Sequence, residues 1–523
     1  MQTFLTRSVH HDVITGTLST FDRLIFKGHL SGLYPQGAFA RFLNSQHIWL
    51  KDFAAYAAAT SAQLKAHGQQ VAQTAQRPYL YLAAASTAAS GHSKEAQARA
   101  IAERDGLTEG LICVFAVVEP CRAFTVRGNG QTHRLEIRQE ARKCLHFYFY
   151  YLDREFGFMH VRLQSWFPFT LQIYVNGREW LARQLDQRGI AYHRYDNKLT
   201  QVADLPTAQA LCEKFAHRHW PRVLDAFARQ VNPLLPILRH AGFRSYFWSV
   251  DQAEYATDVL FRDRARLEAL LPALQELATT AFSADDVLRF LGRKLHGNFQ
   301  GEVTTSLKRR CEGRRVKHTL KRNSLKLYDV LNVLRIETTL NNPREFRVLR
   351  VLKTKPGRPR RWCPMGKGVA NFWRYAQVGQ HANNRYLQAL AHAQPKGKAI
   401  AELDDLCRSR LEKGKRYAKF NPVAAEDTAL FAAVLAGEHQ LNGFRNKNLQ
   451  TRLYPAPARS DQEHRHRSAH VTRLIAKLRG HGLIAKVKAS RLYRVTTRGL
   501  RLMAAALWCR NKEFPGFVLQ PAA

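Results

Sequence analysis

Residues 323–342, NSLKLYDVLNVLRIETTLNN, combine side-chain types that take part in phosphodiester chemistry. Strict alternation along NVLRIETTLNN places Arg335 and Glu337 on one face of a strand, and Lys326 and Tyr328 share a face of the preceding strand. The intervening DVLN predicts a hairpin, whose register the sequence leaves open. One sheet face would then present a tyrosine, an arginine, a glutamate and a lysine together.

Metal-dependent phosphodiester cleavage requires two or three carboxylates that converge on one or two Mg²⁺ ions. Glu337 is the first candidate ligand, and two acidic residues near predicted strand ends are further candidates, Asp22 in TFDRLIF and Glu119 in VVEPC. Asp258 in SVDQAEYATDVLFRD is the remaining candidate. The sequence therefore predicts a Mg²⁺ site formed by these acids, with Tyr328 or a water molecule as the nucleophile.

Asp258 also belongs to a second pattern. Asp251, Glu254 and Asp258 recur at i, i+3 and i+7, so a helix in this segment would carry all three on one face. The alternative is an acidic helix face that is only solvated.

The stretch FGFMHVRLQSW, residues 156–166, predicts a strand with a polar face. His160, Arg162 and Gln164 alternate there with apolar residues. An imidazole, a guanidinium and an amide suit phosphate contacts, and Arg162 suits stabilisation of transition-state charge. We therefore include His160 and Arg162 among the candidate catalytic residues, and an ordinary hydrogen-bonded sheet face is the alternative.

The overall charge indicates a polyanionic partner. The 523 residues include 81 Lys and Arg against 41 Asp and Glu, a formal net charge of +40. Positively charged side chains in such excess repel one another unless an anion is bound. Binding to a nucleic acid is favourable because each phosphate that the protein neutralises releases its counterions. We expect nucleic acid, with DNA favoured and RNA left open. A membrane is not an expected partner, because no signal peptide or spanning segment is predicted. We expect a cytoplasmic location, and association with the nucleoid is left open.

Apolar periodicity predicts a mixed α/β (α+β) multidomain body with a helical middle region and a C-terminal winged helix domain. The predicted ranges are an α/β domain at 1–203, a helical region at 204–300, a β-hairpin region with a basic arm at 301–350, a basic linker with helices at 351–424, and the winged helix at 425–515. Homodimerisation is left open by the sequence.

Two strongly basic segments, 307–322 and 352–362, are predicted as charged linkers that contact phosphates. PGRPRR in the second resembles the core of an AT-hook without its first arginine. The predicted nucleic-acid contacts in these segments are Lys308, Arg309, Arg310, Arg314, Arg315, Lys317, Lys321, Arg322, Arg358, Arg360 and Arg361.

The C-terminal pattern runs helix, helix, helix, two strands and a closing helix, over residues 425–510. This order resembles the winged helix-turn-helix domain of MarR-like regulators. The resemblance implies a recognition helix in RSAHVTRLIAKLRGHG and a basic wing after it. The implied DNA contacts are Ser468, His470, Thr472, Arg473, Lys477, Lys488, Arg491 and Arg494.

Two further resemblances bear on function. The 20 residues of the hairpin are similar to a segment of rolling-circle replication initiators, which implies Glu337 as a metal ligand and Tyr328 as the attacking group; the histidine-pair motif of one class of those enzymes is absent from VHHD at 9–12. FDRLIFKGHL, VEPCRAF and RIETTLNNP resemble a family of uncharacterised bacterial proteins. We therefore predict a DNA-processing protein of a bacterial mobile element, of transposase, nickase or initiator type. The alternative is a non-enzymatic DNA- or RNA-binding protein, either a regulator or the protein half of a ribonucleoprotein.

Overall fold

The structure is a computed structural model that describes residues 13–34, 37–83, 93–242, 245–293, 301–310, 313–351, 360–392, 399–412, 414–487, 490–508 and 510. In chain order its strands are β1 (Ile14–His29), β2 (Tyr79–Leu82), β3 (Gly110–Asn129), β4 (Arg134–Asp153), β5 (Gly157–Gln164), β6 (Leu171–Asn176), β7 (Tyr192–Tyr195), β8 (Lys198–Val202), β9 (Phe247–Phe261), β10 (Val303–Arg310), β11 (Gly313–Leu320), β12 (Asn323–Val330), β13 (Val333–Leu340), β14 (Arg347–Arg350), β15 (Arg361–Pro364), β16 (Arg410–Glu412), β17 (Lys415–Tyr417), β18 (Ile484–Lys486) and β19 (Tyr493–Val495).

The helices are α1 (Ala38–Ser45), α2 (Phe53–Thr74), α3 (Lys94–Arg104), α4 (Gly177–Asp186), α5 (Leu205–Ala216), α6 (Trp220–Val231), α7 (Leu235–His240), α8 (Arg264–Thr280), α9 (Ala284–Phe290), α10 (Phe372–His392), α11 (Ala399–Leu406), α12 (Ala425–Val434), α13 (Gly437–Asn442), α14 (Asn446–Leu453), α15 (Asp461–Gly480) and α16 (Thr497–Trp508). The mixed α/β class predicted from the sequence is confirmed. Among the described residues, no helix is both long and apolar enough to cross a membrane.

The chain divides into two compact units, each built from separated segments. The first unit comprises Leu18–Ala256 and Thr339–Gly379, and the second comprises Met1–Thr17, Thr257–Thr338 and Gln380–Ala523, as far as these are described. The five sequential ranges predicted from the sequence stay predictions as folding domains.

The first unit contains a mixed sheet with strand order β9-β1-β6-β5-β4-β3-β2. The predicted β-α-β unit is present, because β2 and β3 pair in parallel and helix α3 lies between them in the chain. Strands β3 and β4 form a long antiparallel hairpin that pairs from Gly110 with Leu152 to Asn129 with Arg134. Helix α3 begins at the N-cap Ser93, whose hydroxyl accepts from the amide of Ala96.

Aromatic packing fixes the core of the first unit. Phe21 and Phe26 of β1 both pack against Phe372, with ring centroids 4.4 and 5.6 Å from its centroid. Phe26 also packs on Trp220, and both rings are almost fully buried. The face of β1 opposite Phe26 carries half-buried residues, among them Lys27, and this face leads to a polar cavity.

The second unit contains strands in the order β10-β11-β12-β13-β9 and a helical cluster near the C-terminus. The predicted hairpin is confirmed as β12 and β13, joined by a two-residue turn in which Leu331 adopts a φ of +52°. The C-terminal core packs apolar residues of α12, α14, α15 and α16, including Phe431, Leu449, Val471 and Met503. Elements α12 to α16 with β18 and β19 therefore form one packed cluster.

Three local predictions are wrong. Residues 247–261 form strand β9 instead of a helix, so Asp251 and Glu254 point to opposite faces and the three-acid helical face does not exist. Residues 307–322 lie mostly in β10 and β11 instead of a linker. Asp22 lies in the middle of β1 and is buried, whereas the sequence placed it at a strand start.

Candidate nucleic-acid interface

Glu337 lies in a buried hydrogen-bond network on the predicted hairpin. Its carboxylate accepts from the Tyr328 hydroxyl at 2.7 Å and from the ammonium of Lys326. Burial alone would raise the pKa of Glu337, but the charge and hydrogen bond of Lys326 and the hydrogen bond of Tyr328 lower it below its ordinary value. The predicted grouping of Lys, Tyr, Arg and Glu on one face is correct, but it lies inside the protein, with Glu337 only 3% exposed.

Asp258 forms a bidentate ion pair on the neighbouring strand. Arg335 donates Nε and Nη2 to its two carboxylate oxygens at 2.7 and 2.8 Å. The side chains of Arg335 and Asp258 are 1% and 0% exposed. A buried pair of this geometry fixes β13 against β9, because either charge alone would be very costly to bury.

Glu119 occupies a third network, in the first unit. Its carboxylate accepts from Lys94, from Arg162 Nη2 at 2.7 Å, and from the Tyr148 hydroxyl at 2.9 and 2.8 Å. Burial would raise the pKa of Glu119, but the Lys94 hydrogen bond, the Arg162 charge and the Tyr148 hydrogen bond outweigh it and lower the pKa to about 2.

The remaining predicted site residues of the first unit are also held by protein groups. Asp22 Oδ1 accepts from the side-chain amides of Asn176 at 3.0 Å and Asn197 at 2.7 Å. His160 packs among tyrosine rings, with its centroid 5.3 Å from that of Tyr174. Burial, followed by the charges of Lys94 and Arg162, lowers the pKa of His160 to about 3, so it is neutral at physiological pH.

These contacts bear on the predicted magnesium site. Asp22 and Glu119 lie in the first unit, and Asp258 and Glu337 lie in the second. Over the described ranges, no three His, Cys, Asp or Glu side chains form a group that could hold a metal ion. The magnesium site stays a prediction, and protein donors already contact the carboxylate oxygens that it would need.

Strands β10 and β11 concentrate positive charge. Lys308 lies opposite Arg315 and Arg309 lies opposite Arg314. Lys317 faces Lys326 across β11 and β12, and Lys326 is paired with Glu337. Like charges directly opposite each other destabilise a sheet unless an anion neutralises them. Burial lowers the pKa of Lys317, and the charges of Lys326, Arg315 and Lys308 lower it further.

Helix α15 is anchored by several of the residues predicted to read DNA. Tyr454 shares a hydrogen bond with His470 at 2.6 Å, and Lys477 donates to Asp427 at 3.1 Å. Asn446 donates to the backbone carbonyl of Ser468 and to the hydroxyl of Thr472. The side chains of His470 and Lys477 therefore hold the helix in place.

The exposed face of α15 carries other basic residues. Arg473 is exposed, as predicted, and Arg465, His466 and Arg479 are exposed on the same helix. Arg465 was not among the contacts predicted from the sequence, although its spacing of eight residues from Arg473 could have identified it, since residues at i and i+8 lie on the same side of a helix. Between them lies Ala469, a small side chain that lets another molecule approach the helix axis closely.

Other predicted contacts are distributed around these elements. Arg491 and Arg494 are exposed beside the β18–β19 pair, and Arg360 and Arg361 are exposed at β15. Lys321 and Arg322 form the turn between β11 and β12. Arg358, Lys488 and the VHHD motif at 9–12 lie outside the described residues, as does the side chain of Arg310.

Comparisons with known proteins assign this chain to no family. No protein-family model matches the chain, and no curated protein or solved structure matches it.

Proposed function

We propose that this protein binds nucleic acid and that helix α15 contacts the major groove of duplex DNA. The observation that carries this proposal is the exposed face of α15, where Arg465, Ala469, Thr472 and Arg473 follow one another at i, i+4, i+7 and i+8. Arginines flanking small residues suit a helix that lies close to base edges and phosphates.

The attachment of α15 supports this role. Val471, Ile475 and Leu478 bury the opposite face of the helix in the C-terminal core, and Lys477 is held by Asp427. A recognition helix needs this combination, because a fixed backbone lets the exposed side chains meet the DNA without losing further conformational freedom.

The order of elements from α12 to α16 supports a winged helix as the finer description of this region. In that description α15 is the recognition helix and the β18–β19 pair is the wing. Lys486, Arg491 and Arg494 are exposed on or beside these strands and would contact the phosphate backbone.

The β10–β11 hairpin supplies a second cationic surface. On one face of this hairpin Lys308 lies opposite Arg315, on the same side as Lys317, and this pair gains stability when a phosphate lies between its two charges. Arg309 and Arg314 lie opposite each other on the other face. This surface carries no base-reading geometry, so we assign to it sequence-independent contacts with the backbone.

Strand cleavage is left out of this proposal. Glu337, Glu119 and Asp258 accept hydrogen bonds from basic side chains of the protein, and these contacts stabilise the fold without a metal ion. Mg²⁺-dependent cleavage of DNA that disappears in Glu337→Gln, with an intact fold, would restore the nuclease prediction.

The experiment is an equilibrium titration of labelled duplex DNA of about two helical turns with the full chain. We expect Arg465→Ala combined with Arg473→Ala to weaken binding about 10- to 100-fold, because each arginine contributes a phosphate or base contact. We also expect duplex RNA of the same length to bind more weakly, since its deep and narrow major groove does not admit a helix.

A charge-matched control separates a local contact from general attraction. Arg104 and Arg289 are 68% and 67% exposed, lie on α3 and α9 and pair with neighbouring acids, so their double alanine variant also removes two positive charges. Equal loss of affinity in both double variants would contradict a specific role for α15. Equal affinity for duplex RNA and duplex DNA would favour the RNA-binding alternative.

A further inference from the structure

The first unit contains a polar cavity of about 500 Å³ that the duplex-binding proposal does not use. Basic residues Lys27, Arg122 and Arg162 line it, together with the aromatic rings of Tyr34 and Phe247. Pockets of this size bind small ligands or single groups of larger ones.

Sheet register explains why these side chains meet. Lys27 on β1 lies opposite Gln172 on β6, and Gln172 lies opposite Arg162 on β5. The same row continues to Tyr148 on β4. These residues therefore share one face of the sheet, and two of them, Lys27 and Arg162, line the cavity together with the half-buried His29.

The cavity has an excess of positive charge. Arg162 donates Nη2 to Glu119 and Nη1 to Gln172, while its buried Nε has no hydrogen-bond partner among the described residues. Burial and the charge of Lys27 lower the pKa of His29 to about 4, so its ring is neutral at physiological pH and adds hydrogen-bonding capacity without charge. Lys27 and Arg122 remain as cations for an anionic group.

Two exposed aromatic rings line the same cavity. Phe247 is 53% exposed and Tyr34 is 39% exposed. The Tyr34 hydroxyl lies 3.4 Å from His29 Nδ1, a contact that helps to orient the ring. Cations beside accessible aromatic faces are the combination by which proteins bind unpaired bases and their phosphates.

We propose that this cavity binds one unpaired nucleotide of a nucleic-acid strand, with its phosphate at Lys27 and Arg122 and its base against Phe247 or Tyr34. The assignment rests on the proposed nucleic-acid-binding function and extends it to single-stranded segments. The residues involved are separate from α15 in the sequence and belong to the other unit.

The test uses the full chain and a fluorescent oligothymidylate of about 20 nucleotides, long enough to span one binding groove. We expect Phe247→Ala to weaken its binding about tenfold, the effect typical of losing one stacked base, and Lys27→Gln to weaken it several-fold by removing a phosphate contact. Both variants should bind duplex DNA within about twofold of wild type, because α15 is unchanged. Phe247 is half exposed, so its loss leaves the core intact.

Trp49→Ala is the matched control. Trp49 is an aromatic residue of the same unit that is 72% exposed and does not line the cavity. Wild-type affinity for the oligothymidylate in both Phe247→Ala and Lys27→Gln would overturn the assignment. Thymidine monophosphate that binds as tightly as the oligonucleotide would overturn the assignment to a strand and indicate a free nucleotide site. Failure of the duplex proposal would instead appear as duplex affinity that is insensitive to the α15 variants.

Discussion

Replacing Glu119 with glutamine tests whether this carboxylate stabilises the fold or binds a metal ion. The Glu119 carboxylate accepts hydrogen bonds from Lys94, Arg162 and Tyr148, and these contacts lower its pKa from an ordinary 4.5 to about 2. A carboxyl group with a lowered folded-state pKa stabilises the protein when it is ionised.

The size of the effect follows from the difference between the pKa of Glu119 in the folded and in the unfolded protein. Each pH unit between the folded and unfolded pKa corresponds to about 1.4 kcal/mol, so the carboxylate contributes about 3 kcal/mol at neutral pH. This is an upper bound, because the side chain is 20% exposed and solvent screens part of the interaction. The stabilisation is fully present above pH 4.5 and declines as the pH falls through about 2.

The assay is urea unfolding of wild type and Glu119→Gln at pH 7 and pH 3. We expect the variant to lose about 2 to 3 kcal/mol at pH 7 and only about 1 kcal/mol at pH 3, where wild type has already lost much of this stabilisation. Glu140→Gln is the control, since Glu140 is 34% exposed and pairs with Arg127 at 3.3 Å; its loss should cost less than about 1 kcal/mol.

Two results would refute this reasoning. Unchanged stability of Glu119→Gln at pH 7 would show that the network is not stabilising. A rise in wild-type melting temperature with millimolar Mg²⁺ that disappears in the variant would show that Glu119 is a metal ligand, as the sequence predicted.

Three other changes have expected outcomes. Asp258→Asn removes the carboxylate that Arg335 contacts with two donors and should lower the free energy of unfolding by about 3 to 5 kcal/mol in urea titrations; a loss below about 1 kcal/mol would contradict the buried pair. Gly177→Ala would bring a Cβ into the backbone carbonyl of Phe21 and should lower the melting temperature by several degrees, about 2 kcal/mol, whereas a neutral effect would contradict this packing. Lys308→Ala should reduce the salt slope of duplex binding by about 1 and weaken all sequences alike, and an effect that depends on sequence would contradict a phosphate contact.

Local patterns predicted part of this structure. The β12–β13 hairpin could be predicted because strict alternation and a two-residue turn determine a hairpin without distant contacts. The same alternation predicted that Lys326 and Tyr328 lie beside Glu337. The C-terminal helices could be predicted because their apolar residues recur at helical spacing.

Other features of the structure depend on residues far apart in the chain and could not be predicted from local patterns. Strand β9 was mistaken for a helix because Asp251, Glu254 and Asp258 fit helical spacing, whereas its burial within a sheet favours the extended chain. The partners of the acids are separated by long stretches of chain: Arg162 is 43 residues from Glu119, and Arg335 is 77 from Asp258. Strand β11 was predicted as a linker because segment 307–322 is rich in basic residues. The alternate residues Val316, His318 and Leu320 are buried, which is the pattern of a strand.

The salt dependence of duplex DNA binding tests the central claim most directly. If the cationic faces of α15 and the β10–β11 hairpin neutralise phosphates, the logarithm of the binding constant should fall linearly with the logarithm of salt concentration, with a slope of about −5 or steeper. A slope near zero, or no retention of DNA at low salt by the folded protein, would contradict the proposal that these surfaces bind nucleic acid.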